Sequence, residues 1–341
     1  MAAEEIIDMR IENDYSLKQH NTFGIEAKCV QFVEYSTEAE AKEVAELLRN
    51  TRVPYIIIGG GSNLLLTRDY EGIVVHSACK GIERHGNRLV CGSGEVFDDV
   101  VAQSIEMRLY GAENLSLIPG DVGASAVQNI GAYGAEAKDL IRSIRAIEIA
   151  TGNVCVIEKA ECEYGYRQSK FKHEWKNQYL ILSVTYEFST TFEPRLDYGN
   201  IRAELEKEGI SQPTAQQLRH TIIRIREAKL PDPKVLGNAG SFFMNPIVTR
   251  QKYHELAAQY EGMPHYDIDA DHVKIPAGWM IDQCGWKGKS MGRAGVHDKQ
   301  ALVLVNRGGA TGQEVVALCQ QIQTDVKQKF GIDIYPEVNV I

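Results

Sequence analysis

The stretch SLIPGDVGASAVQNIGAYGAE (116–136) constrains the fold more than any other part of this 341-residue chain. Its Gly, Ala and Ser residues carry too little side chain to build a core. Its backbone can instead lie close against something flat or charged. Pro119-Gly120 marks a turn, and the residues from Val122 to Ile130 can start a helix whose free N–H groups attract an anion. Close helix packing through small residues accounts for the same composition, and both readings stand at this point.

A second glycine run, GGGSN (59–63), follows the apolar strand YIII. Three consecutive glycines expose backbone N–H groups able to cradle a pyrophosphate. The run is neither a G-x-G-x-x-G fingerprint opening a helix nor a P-loop, because no GK[ST] follows. A tight turn between two core strands explains it equally well. Two such backbone anion sites in one half of a chain suggest a dinucleotide.

Strand-like and helix-like segments alternate around these runs. Thr37 and Glu40 form a capping-box pattern ahead of Val44, Leu47 and Leu48. Helical spacing resumes over 95–109 through Val96, Val100, Val101 and Met107. Strand-like runs recur at 72–94, 143–158 and 178–188. Thr214 and Gln217 open a helix that stops at Pro231, where we place a domain boundary. Thr311 and Glu314 cap a last helix. The closing GIDIYPEVNVI (331–341) reads as a strand with Ile334, Pro336, Val338 and Val340 on one face, and Asp333, Tyr335, Glu337 and Asn339 on the other. Pro336 makes it an edge or bulged strand.

At this length two or three domains are expected. The net charge of −9 argues against nucleic acid as a partner, since neutralising phosphates needs clustered Lys and Arg. A small anionic ligand needs only a local basic site. The seven cysteines show no metal or redox spacing and read as reduced cytosolic thiols. MAAEEIIDMR lacks the apolar region of a signal peptide, and runs such as YLILSV are too short to span a bilayer. A cytoplasmic protein without membrane insertion or metal is expected.

Three segments offer side-chain chemistry. In YGYRQSKFK (164–172), Arg167 among aromatics is either a stacked structural residue or a carboxylate clamp. KLPDPK (229–234) sets Lys229 and Lys234 beside rigid prolines, with a solvated turn as the default. In GNAGSFFMNP (237–246), Ser241 is either a turn hydroxyl or a group held rigidly for chemistry. His297 and Asp298 are adjacent in a loop, an arrangement more often solvated than catalytic.

Taken in order, NTFGI (21–25), IIIGGGSNLLL (56–66), IPGDVGASAVQNIGAYG (118–134), YGYRQSKF (164–171), KLPDPKVLGNAGSFFMNP (229–246), AGWMIDQCGWKG (277–288) and YPEV (335–338) resemble the UDP-N-acetylenolpyruvoylglucosamine reductase family. These are flavoenzymes of bacterial cell-wall precursor synthesis. The resemblance runs along nearly the whole chain.

It implies an α+β fold: an FAD-binding core of the vanillyl-alcohol-oxidase (PCMH) type with a C-terminal α+β substrate-binding domain. The implied divisions are 1–76, completed by the strand in 328–341, then 77–230 for the second flavin subdomain and 231–327 for the substrate domain. FAD would be noncovalent, because Ser62 stands where related oxidases attach flavin to a histidine. Its contacts fall on Ile58, Gly59, Gly60, Gly61, Ser62, Asn63 and Leu64, on Pro119, Gly120, Gly123, Ala124, Ser125 and Asn129, and on Gly131, Ala132, Tyr133 and Gly134. NADPH would reduce FAD and leave. UDP-N-acetylglucosamine enolpyruvate would then accept hydride at its vinyl carbon.

The family's catalytic positions fall on Arg167, Ser241 and Glu337. Arg167 would clamp the developing enolate, Glu337 would donate from a protonated carboxyl, and Ser241 would protonate carbon. Gly240, Phe242 and Phe243 would fix that hydroxyl and exclude water. LDYGN resembles the substrate-covering loop of one subgroup and places its tyrosine at Tyr198, with Lys229 and Asn245 as further substrate contacts. A monomer is expected. Another noncovalent FAD oxidase of this fold is the alternative, and a sugar-nucleotide-binding protein without redox turnover is a rival of a different class.

Overall fold

The computed structural model describes residues 9–341, so most of MAAEEIIDMR lies outside the described residues. The described chain divides into two compact units. The first comprises 29–60 and 70–228 with the N-terminal strand. The second comprises 16–28, 61–69 and 229–341.

In the first unit, strands Arg10–Ser16, Lys28–Tyr35, Tyr70–Ser77 and Tyr55–Ile58 form one sheet in that order. Tyr70–Ser77 pairs in parallel with the strand on either side. Five antiparallel strands form a second sheet, with Ile141–Glu148 and Tyr179–Glu187 at its centre. Both faces of this sheet are covered. Leu180 and Leu182 join Ile147 in a core with Val44 and Leu48 of helix Glu38–Asn50. Ile144, Ile181, Val184 and Tyr186 pack with helices Phe97–Glu106 and Val122–Gln128. Burial on both sides is why YLILSV reads as a continuous apolar run rather than an alternating one.

The capping signals hold. Thr37 accepts from the Glu40 N–H at 3.2 Å while the Glu40 carboxylate takes the Ser36 N–H and hydroxyl. Helix Phe97–Glu106 is shorter than expected: Val96 is its exposed N-cap and Met107 its C-cap. Its inner face is Phe97, Val100, Val101 and Ile105. A smaller core of Leu196, Ile201, Leu205, Leu218, Ile222 and Ile225 joins helices Ile201–Lys207 and Ala215–Lys229, with Tyr133 packed against it.

In the second unit, strands Asn238–Ser241, Val303–Asn306, Ala294–Val296 and Ser290–Met291 form an antiparallel sheet. Helix Gly312–Phe330 starts with the expected reciprocal box between Thr311 and Glu314 and ends at left-handed Gly331. The chain end differs from the continuous strand expected. Only Asn339–Val340 is a strand, parallel to Leu64–Leu65. The alternation survives ahead of it, with Ile332, Ile334 and Val338 buried, but Val340 is 46% exposed rather than inward. All seven cysteines are free thiols, and among the described residues no helix is long and apolar enough to cross a membrane.

Candidate active site

The expected site residues fall in both units. Ile58, Gly59, Gly60, the 119–134 segment, Arg167 and Tyr198 are in the first. Gly61 to Leu64, Lys229, Ser241, Asn245 and Glu337 are in the second.

Strand Tyr55–Ile58 runs directly into Gly59-Gly60, which lie against the start of helix Val122–Gln128. A Cβ on Gly59 would sit 2.9 Å from the Cβ of Ala124, and one on Gly60 would sit 3.1 Å from Oδ1 of Asp121. The turn is therefore bare backbone by necessity. Its residues fit a dinucleotide phosphate, which needs N–H donors and close approach.

The helix start contributes less than its sequence suggests. The N–H groups of Val122 and Gly123 already donate to the carbonyls of Glu95 and Ser93, both at 2.8 Å. Asp121, the N-cap, makes no side-chain capping bond. The expectation of free N–H groups at this helix is thus corrected: the loop 93–95 satisfies two of them. Ser125 also turns inward, its hydroxyl 2.6 Å from the Tyr186 hydroxyl and donating to the Val122 carbonyl. Asn129, left-handed at φ 45° and buried, donates to the Gly165 carbonyl and accepts from the Lys138 N–H. These two side chains build the segment from within.

Asn129 also delivers Arg167. By holding Gly165, it anchors a tight turn in which Arg167 adopts φ 56°. The guanidinium donates through Nη2 to the Gly131 carbonyl, and through Nη1 to the Asn129 carbonyl at 3.4 Å. Nη1 lies 3.7 Å from Oε1 of Glu136, and the group stands 5.3 Å from the Tyr166 ring centre. Arg167 is thus stacked on an aromatic ring, with its fork held by backbone acceptors. A Cβ on Gly131 would fall 2.6 Å from Arg167 Nη1, so that glycine admits the guanidinium. Tyr198 packs edge-on against Tyr133 at 6.3 Å between ring centres and covers Gly134. The loop tyrosine and the glycine-rich segment are thus neighbours.

In the second unit, Gly61 has φ 68°, and a Cβ there would stand 1.9 Å from the His20 carbonyl oxygen. The NTFGI segment explains this fit: Asn21 bonds its own loop at Leu17 and Ile25, and the Thr22 N–H donates to the Gly61 carbonyl at 3.1 Å. Asn63 donates to the Glu337 carbonyl at 3.2 Å and accepts from the Asn339 N–H at 3.1 Å. The Glu337 N–H in turn donates to the Phe242 carbonyl at 2.8 Å, and Phe243 bridges to Pro336. Residues 61–65, 241–244 and 335–340 are therefore laced together, bringing Ser241 and Glu337 onto adjacent backbone.

Phe242 and Phe243 are 1% exposed and lie under Ser241, which is itself exposed. The phenyl rings anchor the strand; the expectation that they shield the hydroxyl from water is corrected. Asn245 Oδ1 accepts from the Ala277 N–H at the start of helix Ala277–Gln283, at 2.9 Å. Lys229 is the exposed last residue of helix Ala215–Lys229. Asp298 pairs with Arg307 at 2.6 Å, so His297 has no dedicated carboxylate.

Sequence reasoning missed the carboxylates around the first-unit site, Glu136 beside Arg167 and Asp121 beside Gly60. It also missed His76. This histidine bonds Glu34 through Nδ1 at 2.8 Å and lies 3.4 Å from Asp121 through Nε2. A half-buried histidine inside the run GIVVHSA was the available signal.

Residues 30–158 match the family model described as an FAD binding domain, which makes this a flavin-binding protein. Residues 232–341 match the one described as UDP-N-acetylenolpyruvoylglucosamine reductase, C-terminal domain. Over 339 residues the chain is 53% identical to the UDP-N-acetylenolpyruvoylglucosamine reductase of Bacteroides fragilis strain YCH46, covering 97% of this chain and 100% of that one. It is 46% identical to that of Flavobacterium johnsoniae, covering 98% and 100%. The crystal structure of the reductase from Thermus caldophilus, 21% identical, matches with a TM-score of 0.68 over 97% of this chain and 99% of that one, and so shares its fold. The chain belongs to the UDP-N-acetylenolpyruvoylglucosamine reductase family. Its fold is the α+β arrangement expected, with an FAD-binding domain and the reductase family's C-terminal domain.

Proposed function

We propose that Arg167, Ser241 and Glu337 carry the reduction of the enolpyruvyl ether of UDP-N-acetylglucosamine enolpyruvate, giving UDP-N-acetylmuramate. The chain is an FAD-containing, NADPH-dependent oxidoreductase of peptidoglycan precursor synthesis. FAD, when bound, supplies the hydride drawn from NADPH that adds to the substrate's vinyl carbon.

The protein's own residues deal with what that addition creates. Negative charge develops on the neighbouring carbon and spreads into its carboxylate. Arg167 meets it with a planar fork, already oriented by the carbonyls of Gly131 and Asn129. Glu337 acts as a donor from its protonated form, since a bare anion beside that charge would oppose it. Ser241 gives its proton to the carbon, and a neutral hydroxyl adds no further charge to an anionic site. The observation that carries this reading is the Glu337 N–H to Phe242 carbonyl bond, which sets acid and hydroxyl on adjacent stretches of backbone.

Backbone of 58–64 and 119–134 holds FAD noncovalently, and Tyr198, Lys229 and Asn245 contact substrate. With its oxygen on the Ala277 N–H, Asn245 offers its amide NH₂ to the substrate. The divisions 1–76 with the terminal strand, 77–230 and 231–327 serve as flavin and substrate domains. The enzyme works as a cytoplasmic monomer.

Separating the two half-reactions tests this. In Ser241→Ala we expect flavin reduction by NADPH at near the normal rate and reoxidation by substrate slowed by about 10²–10³. Fast reoxidation in that variant would remove Ser241 as the proton donor.

A further inference from the structure

Glu34, His76 and Ile58 stand in register on three adjacent parallel strands, at the strand ends that lead toward the glycine turn. Ile58 is the residue before Gly59. The His76 ring is bracketed by carboxylates, Glu34 Oε2 at 2.8 Å from Nδ1 and Asp121 Oδ2 at 3.4 Å from Nε2. Asp121 is the side chain lying against Gly60. Arg10, on the outer strand, reaches Glu34 at 3.6 Å, and the Phe32 ring stacks on the imidazole at 6.3 Å.

A carboxylate beside a phosphate-binding turn is an obstacle unless it is neutralised. Only the imidazolium can donate from both ring nitrogens. With the proton, Arg10, Glu34, His76 and Asp121 sum to zero charge. Without it, the ring keeps one N–H. The shorter contact to Glu34 retains it, leaving Asp121 an unpaired anion next to the turn. Burial alone would lower the His76 pKa; the hydrogen bonds to Asp121 and Glu34 outweigh it and hold the group above its ordinary value.

We infer that Glu34, His76 and Asp121 form a proton-dependent clasp behind the Gly59-Gly60 turn, so that the grip on the flavin dinucleotide's pyrophosphate weakens when His76 loses its proton. The inference rests on the flavin site proposed above. His76 and Asp121 act here as positioning residues, not catalytic ones.

The test is the FAD dissociation constant of the apoprotein, read from quenching of flavin fluorescence between about pH 6 and about pH 9 at fixed salt. In the wild type we expect affinity to fall about tenfold across that range. His76→Gln should be weak and flat with pH, and Asp121→Asn tight and flat. The asparagine variant keeps the side chain's shape, so it decides the matter if His76→Gln does not fold. A wild-type affinity independent of pH, or a pH slope that persists in Asp121→Asn, overturns the clasp while leaving the flavin site standing. Wild-type apoprotein that binds no FAD at any pH overturns the flavin site itself.

Discussion

Ser241 is a weak acid, so its role depends on what surrounds the hydroxyl rather than on the hydroxyl itself. Gly240, at φ 67°, turns the strand just before it, and buried Phe242 fixes the strand just after it. Lys229 is the candidate cation to ease proton donation. Arg167 raises a different question, whether charge alone suffices. Its fork is oriented by two carbonyls and by the Tyr166 ring, and a lysine ammonium reproduces the charge but not the planar pair of donors. In Arg167→Lys we expect reoxidation by substrate to slow by about 10²-fold with flavin reduction unchanged. Wild-type rates in both half-reactions would exclude a two-point clamp. At this scale the sequence was most legible where one residue does one thing. Arg167 and Ser241 could be singled out on their own, though only the family resemblance chose between their two readings. Asp121 could not, because its meaning comes from His76 and Gly60, which are remote in the chain and meet only once three strands are paired.

Elements with local signals were the easiest to read. The capping box predicted at Thr311/Glu314 is present in full, whereas at Thr37/Glu40 only the Thr37 half forms and the Glu40 carboxylate reaches past the N-cap to the Ser36 N–H. The last strand was harder. Its alternation is real through Val338, but Leu64–Leu65 offers a partner only to Asn339–Val340, and no local pattern announces a partner so far away in sequence. The helix Gly312–Phe330 gives a prediction that runs against propensity. Alanine is favoured over glycine in helices by about 1 kcal/mol. At Gly312, however, a Cβ would lie 1.9 Å from the Leu66 carbonyl oxygen, so backbone must move. We expect Gly312→Ala to destabilise the protein by about 1–3 kcal/mol, measured by urea unfolding. A stabilised variant would show that the contact with Leu66 yields easily.

On the scale of the molecule, the expected site residues fall in both compact units. The first presents bare glycine backbone at 59–60, the Arg167 fork and the Tyr133–Tyr198 pair. The second joins the Ser241 and Glu337 segments through the Glu337 N–H to Phe242 carbonyl bond, with Asn63 tied to Glu337 and Asn339. The net charge of −9 argues against a polyanionic partner but not against a small anionic substrate, which needs only a local basic site. The central claim, that this chain passes hydride from NADPH to an enolpyruvyl ether, is tested most directly by an anaerobic titration followed by absorbance. The FAD-loaded protein is bleached with NADPH, and UDP-N-acetylglucosamine enolpyruvate is then added without oxygen. We expect the oxidised flavin spectrum to return on that addition. Bleaching that persists until air enters would contradict the claim and mark the protein as an oxidase.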